Sequence, residues 1–407
     1  MPHFQNTTFG GSVVASTITI PLTAGDGRIA DIDFESSNNF ADGAFATDYN
    51  PGVIPYQITM YNLYSSGTKG CFTWQAGAQF GLIQAYCTVP SVAGYIATFL
   101  NVTENIPGGY TGNLFNNLNY QAIIGSYFQG GGLVPHGLGV ETIRISAGQD
   151  IVVSNNTIRD ADTQGAVLKI HNGTKGSVST WSGTYTQNVM VTDNLFSGTS
   201  GGNLVETAPQ NSGDDERLRY IVLERNYFNA PTSAYGGTQF LLSAQNTTVR
   251  DNVFNMTGAA IKQYPAYGVL AGQRGSLAPI TQYVEVYNNS FYGSADTFGS
   301  QTNIAFAVAG DLVSAASNSV AENNLAYMLT TGGGSTVQNT GTGNTVSNNT
   351  ATRTNNPAFT NGTGLYSIMS DFKPTAQYTG ALNGVPVIYD ALGVAWSPTW
   401  DLGAVHH

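Results

Sequence analysis

Apolar side chains recur along this chain in pairs that flank an asparagine. The clearest copies are 151–158, 189–196, 221–228, 247–254 and 284–291, with weaker ones at 319–326 and 345–349. Their shared asparagines are Asn156, Asn194, Asn226, Asn252, Asn289, Asn324 and Asn349, spaced 25 to 38 residues apart. Val153, Val191, Leu223, Val249 and Val286 each lie three positions before that asparagine. Ile158, Phe196, Phe228, Phe254 and Phe291 lie two positions after it. The spacing predicts a strand, a sharp corner and a second strand, with both flanking side chains turned inward. Asn suits such a corner because it tolerates left-handed backbone angles and can hydrogen-bond a copy of itself in the next unit. Fixed strands separated by loops of variable length are the mark of a stacked repeat, in which one unit cannot bury its apolar stripe alone.

A further strand is expected in each unit, at 165–171, 203–207, 239–243, 268–272 and 303–308. Looser units are expected at 28–34, 58–64, 82–89 and 121–128. The resulting expectation is an all-β, right-handed parallel β-helix (a solenoid) of roughly ten or more rungs. We place a lead-in cap at 1–20, the coil at 21–355 and a C-terminal extension at 356–407 that folds back over the end of the coil. An uncovered solenoid end would be an edge-strand hazard.

Composition supports this reading. Gly numbers 49 of 407 residues, and charged residues make up only 10%, against about 25% in ordinary domains. Few Lys and Glu residues are available for exposed helix faces. A net charge of −11 disfavours nucleic acid and anionic membranes as partners. No apolar run is long enough for a membrane span. Cys71 and Cys87 are equally compatible with a disulfide between adjacent rungs and with two free thiols.

Because charge is scarce, its few clusters carry the functional reading. If the isoleucines and leucines of 142–146 and 168–171 point inward, Arg144, Lys169 and His171 point outward. Glu206 then stacks beside Lys169 on the next rung, although a slip of one residue would turn it inward. The densest charge run, 210–219, contains Gln210, Asp214, Asp215, Glu216 and Arg217, and Arg274 ends a later strand. Arg144, Lys169, Arg217 and Arg274, with His171, are therefore expected to form one cationic groove. Tyr264, Tyr267 and Trp181 are candidate stacking surfaces for sugars.

Such a groove fits an anionic polysaccharide, and β-elimination of a polyuronate uses it directly. Arg side chains or Ca²⁺ neutralise the carboxylate, and a Lys or His removes the adjacent proton. In this reading Lys169 or His171 is the base, Arg217 and Arg274 clamp the carboxylate, and Arg144 serves a secondary subsite. Glu206 and Asp215 are the candidate Ca²⁺ ligands. Hydrolysis by two carboxylates, drawn from Glu206, Asp214, Asp215 and Glu216, is the second reading. A non-catalytic carbohydrate-binding rod is the third. Each residue also has an ordinary structural role open to it, for example Arg144 paired with Glu141.

The repeats at 151–158, 189–196, 221–228, 247–254 and 284–291 resemble those of the pectate-lyase-like superfamily of right-handed parallel β-helix proteins. Its members include pectate and alginate lyases, polygalacturonases, epimerases and phage tail spikes. Leu168-Lys169-Ile170-His171, with 210–217 and Arg274-Gly275, is similar to a pattern in bacterial β-helix proteins known mainly by fold. The stretch from Asn355 to Ala404 looks like the tails of secreted bacterial members. The resemblance implies a polysaccharide-active protein, monomeric or homotrimeric, outside the cell, in the periplasm or on a phage particle. No leader is visible at Met1-Pro2-His3-Phe4. The chain lacks the Asn-Lys-Ser and Arg-His-Gly pair of alginate lyases, the Asp-Pro-His-Asp of alginate epimerases, and the Asn-Thr-Asp with Arg-Ile-Lys of polygalacturonases.

Overall fold

Three walls of short parallel strands wind into a right-handed coil. The computed structural model describes strand backbones from residue 3 onward. With side chains it describes most of 122–128, 141–172, 185–256 and 267–349, together with 369–374, 389–395 and 403–405. Cys71, Cys87, Trp181, Gln210, Asp214 and Tyr264 lie outside the described residues.

The first wall holds the strands before each asparagine, such as Gln149–Ser154, Thr186–Thr192, Leu218–Glu224, Gln245–Arg250 and Gln282–Tyr287. The second holds those after it, such as Thr157–Arg159, Leu195–Ser197, Tyr227–Asn229 and Val253–Met256. Gly27–Glu35 and Gln57–Ser66 run unbroken across both walls and join them into one 21-stranded sheet. The third wall stacks Ile143–Ile145, Leu168–Ile170, Val205–Thr207, Phe240–Leu242, Val269–Arg274, Ile304–Phe306 and Val337–Asn339 in parallel register.

The corner between the first two walls is built by a ladder of asparagines. Oδ1 of Asn226 accepts from both the backbone N–H and the side-chain amide of Asn194. The Asn226 amide in turn donates to Val191 O, 2.9 Å away, and to Asn252 Oδ1. The same pattern runs from Asn156 to Asn349. The ladder asparagines are not the left-handed residues. Positive φ falls one position earlier, at Asn155, Asp193, Arg225, Asp251, Asn288, Asn323 and Asn348. That residue makes the turn, so the ladder amide is free to point inward. Two positions after four of the ladder asparagines, Phe228, Phe254 and Phe291 stack with centroids 4.4 and 4.7 Å apart, and Phe196 lies tilted on Phe228 at 5.2 Å. These rings fill the core along the coil axis.

The coil starts earlier than residue 21. His3–Phe4 and Thr7–Gly10 pair in parallel with Gly27–Glu35, and Ile18–Ile20 pairs with Phe45–Thr47. Of the unit expected at 82–89, only Leu82–Ile83 lies among the described residues, and it does not stack in parallel. Leu82–Ile83 turns back antiparallel on Ala78–Gln79, and the coil resumes at Ile96–Leu100.

The described tail residues lie along a side of the coil. Phe372, Ala391, Ala404 and Val405 pack on Tyr227, Val253 and Leu325 of the second wall, and Ala404 N donates to Ser290 Oγ. Those side chains offer an apolar outward stripe for the tail to bury. No helix among the described residues is long and apolar enough to cross a membrane.

Candidate active site

On the third wall the middle residue of each strand faces away from the core. Ile143 and Ile145 flank Arg144, and Leu168 and Ile170 flank Lys169; all four apolar residues are fully buried in the interior. The register places Arg144 beside Lys169 and Lys169 beside Glu206. Further along, the same column becomes Leu241, Leu270 and Ala305. An antiparallel strand, Leu312–Ala315, pairs with Val269–Arg274 and brings Leu312 over this apolar part.

The charged part is a dense network. Lys169 Nζ lies 2.7 Å from Glu206 Oε1 and 3.9 Å from Glu141 Oε1, and Arg144 Nη1 lies 3.5 Å from Glu141 Oε2. Arg274 crosses from the end of its strand to bond Glu206 Oε1 through Nη1 and Asp311 through Nε. Asn203 Nδ2 adds a longer contact to Glu206 Oε2. Burial opposes ionisation of Glu206, yet Lys169 and Arg274 hold its carboxyl at about 2.

His171 occupies the next corner. Arg144 Nε–H donates to its Nε2 at 2.9 Å, so Nε2 carries the lone pair. The ring proton is then on Nδ1, which donates to Glu216 Oε2 at 3.0 Å. An imidazolium would form an ion pair with Glu216, but it could not accept the Arg144 proton. The neutral form fits both contacts. Burial, then the Arg144 and Lys169 charges, push the His171 pKa well below its usual value. Glu216 also accepts from Asn172 N at 2.9 Å, which fixes its carboxylate in place.

The expected residues therefore come together in part. Arg144, Lys169, His171, Glu206 and Arg274 share one wall. Arg217 belongs to the approach to the first wall. It is partly exposed and pairs with Asp215, Nε to Oδ1 at 3.5 Å, instead of entering the network. A basic trough is not what forms, because three cations (Arg144, Lys169 and Arg274) face four carboxylates (Glu141, Glu206, Glu216 and Asp311). In a protected site each charge needs its counter-charge. Glu206 is already engaged at both oxygens, Oε1 by Lys169 and Arg274 and Oε2 by the Asn203 amide, which leaves it poorly placed to ligate Ca²⁺. No cluster of three metal-binding side chains occurs among the described residues. Tyr267 is not a stacking platform: it is 6% exposed and packed among Ala208, Leu241, Leu270 and Leu312, with Oη 3.4 Å from Gln338 Oε1.

Sequence reasoning missed Asp311, which reaches Arg274 from the added antiparallel strand, and gave Glu141 only the role of partner to Arg144. Glu141 precedes its strand by two residues, so its position beside Lys169 follows from the stacking of rungs and not from chain proximity. Lys169 and His171 are only 4% and 1% exposed. A ligand reaches either of them only if Arg144 or its neighbours move aside.

Neither family models nor curated proteins match this chain in sequence. The coil itself, a right-handed parallel β-helix, is an architecture compatible with polysaccharide-active proteins.

Proposed function

We propose that this protein cleaves an acidic, uronate-containing polysaccharide by β-elimination at the third wall. The observation that carries the reading is His171, a neutral imidazole whose Nε2 lone pair is held by the guanidinium of Arg144. A uronate carboxylate that binds Arg144 draws that guanidinium away and uncovers the lone pair. His171 Nε2 then takes the proton from the carbon bearing the carboxylate. The C–H electron pair forms the new double bond, the bond to the β-linked glycosidic oxygen breaks, and water protonates the departing oxygen. Arg144 and Arg274 offset the charge that develops on the carboxylate during this step. Lys169, engaged as a cation by two carboxylates, orients Glu206 and is not the base.

Hydrolysis is less well supported. With its carboxyl held at about 2, Glu206 has no proton to donate at neutral pH. Glu216 is fixed by His171 and Asn172. The test is incubation with polygalacturonate, alginate, glucuronan and hyaluronan, following the ultraviolet absorbance of unsaturated ends together with reducing ends. Elimination predicts that both rise together, and that His171→Ala lowers the rate about 10²-fold or more. Reducing ends without the absorbance would identify a hydrolase. No product from any of these polymers, or full activity in His171→Ala, would remove the reading.

A further inference from the structure

The first wall carries a second candidate surface that the elimination chemistry does not use. Five successive strands of this wall carry, at or next to their first residue, an outward side chain followed by a residue in the left-handed region. The outward column is Gln149, Gln187, Arg219, Gln245 and Gln282, in parallel register on five successive rungs. The left-handed position holds Asp150, Asn188, Asn246 and Asn318, side chains suited to positive φ. On two rungs it holds tyrosine instead: Tyr220 at φ 53° and Tyr283 at φ 57°. A bulky side chain is strained there, and neither ring is withdrawn from solvent, being 48% and 50% exposed. Packing therefore does not account for them.

Their neighbours point to a ligand. Arg219 lies 4.0 Å from the Tyr185 ring centroid and 5.1 Å from that of Tyr220, and its Nε donates to Gln187 Oε1 at 2.7 Å. The guanidinium thus props two rings and an amide in fixed positions. Tyr283 lies two rungs from Tyr220, roughly 10 Å along the axis. Flat rings spaced along a row of amides match a sugar chain, whose rings offer C–H faces to stack and whose hydroxyls both donate and accept. Charge selects the kind of chain. Asp150 and Glu285 are exposed on this wall, and Arg219 is engaged by its neighbours. An acidic chain would be repelled where an uncharged one is not.

We propose that this strip binds an uncharged polysaccharide running along the coil axis, with Tyr220 and Tyr283 as stacking surfaces and the glutamine column as the hydrogen-bonding rail. The strip stands apart from the third-wall network, so the proposal does not depend on elimination.

The test is affinity electrophoresis of the whole chain in native gels containing hydroxyethyl cellulose, xyloglucan, laminarin, dextran or galactomannan. A parallel gel contains polygalacturonate. The wild type should be slowed by at least one neutral polymer. The Tyr220→Asn/Tyr283→Asn variant should bind it at least about 10-fold more weakly, while its thermal midpoint stays the same or rises, because Asn suits the left-handed position better. Loss of binding without loss of stability is what a purely structural role for the tyrosines would not produce. Tyr220→Phe/Tyr283→Phe should retain binding within a few-fold. The proposal is overturned if no neutral polymer slows the wild type, if only polygalacturonate does, or if the Asn variant is slowed equally. It also falls if light scattering shows an oligomer that the Asn variant dissolves, which would make the strip a contact between copies of the chain.

Discussion

Replacing Asn226 with Ala tests the ladder that sets the coil. Its side chain makes four hydrogen bonds, two accepted from Asn194 and two donated, to Val191 O and Asn252 Oδ1. Asn226 is fully buried. At about 1 kcal/mol net per bond the loss is about 4 kcal/mol. The Asn194 backbone N–H, left buried without its acceptor, adds to this. A water entering the polar gap would return part of it. The expected cost is about 3–4 kcal/mol. Asn349→Ala is the internal comparison. It removes the bonds to Asn324 N, Asn324 Nδ2 and Ala321 O at the half-buried end of the ladder, where solvent can replace them. About 1 kcal/mol is expected there. Native-state hydrogen exchange is the suitable assay, because stacked rungs can open separately. Amides of 189–196 and 221–228 should lose protection by a few hundred-fold or more in Asn226→Ala, since about 1.4 kcal/mol corresponds to tenfold. Equal effects of the two substitutions would refute the view that the buried ladder holds the corner.

Two further outcomes follow from the charge network. Lys169→Met should cost about 2–3 kcal/mol, because Glu206 loses one of its two buried cationic partners and keeps Arg274. The Lys169→Met/Glu206→Leu double variant should cost less than the sum of the single changes, and additivity in urea unfolding would contradict the pairing. Stability should also fall on acidification in two windows. The depressed pKa of His171 means that the unfolded chain is protonated first. Its contribution is present above about pH 6.5 and is lost as the pH falls toward the folded value. Glu206 contributes about 3 kcal/mol above its unfolded value of 4.5, lost as the pH falls to about 2. Urea midpoints at pH 7.5, 5.5 and 3.5 should decrease in that order, and His171→Gln should flatten the first decrease. A midpoint that rises on acidification would contradict both assignments.

The coil was legible because its rule is local. Val191, Asn194 and Phe196 announce one strand–corner–strand unit within six residues, and each copy repeats it. The alternation of Ile143, Arg144 and Ile145 likewise fixed which side chains leave the core, and the expected column of Arg144, Lys169 and Glu206 formed. What lay hidden depends on neighbours brought in from far along the chain. The counter-charges Glu141 and Asp311 reach their cations by rung stacking and by an added antiparallel strand, so a basic trough was expected where a balanced network stands. The burial of Tyr267 is hidden in the same way, because the strand that brings Leu312 over its surroundings comes from 45 residues further along. Tyr220 and Tyr283 passed unnoticed because the left-handed position that makes them unusual is defined by the other rungs.

The protonation of His171 is the point on which the catalytic reading turns, and nitrogen-15 NMR of the intact chain labelled at its five histidines observes it directly, with His171→Gln identifying the resonance. The neutral assignment predicts a protonated Nδ1 and an unprotonated Nε2 at pH 7, persisting below pH 6.5. Two protonated ring nitrogens at pH 7 would make His171 the cation of an ion pair with Glu216, with no lone pair to take a proton.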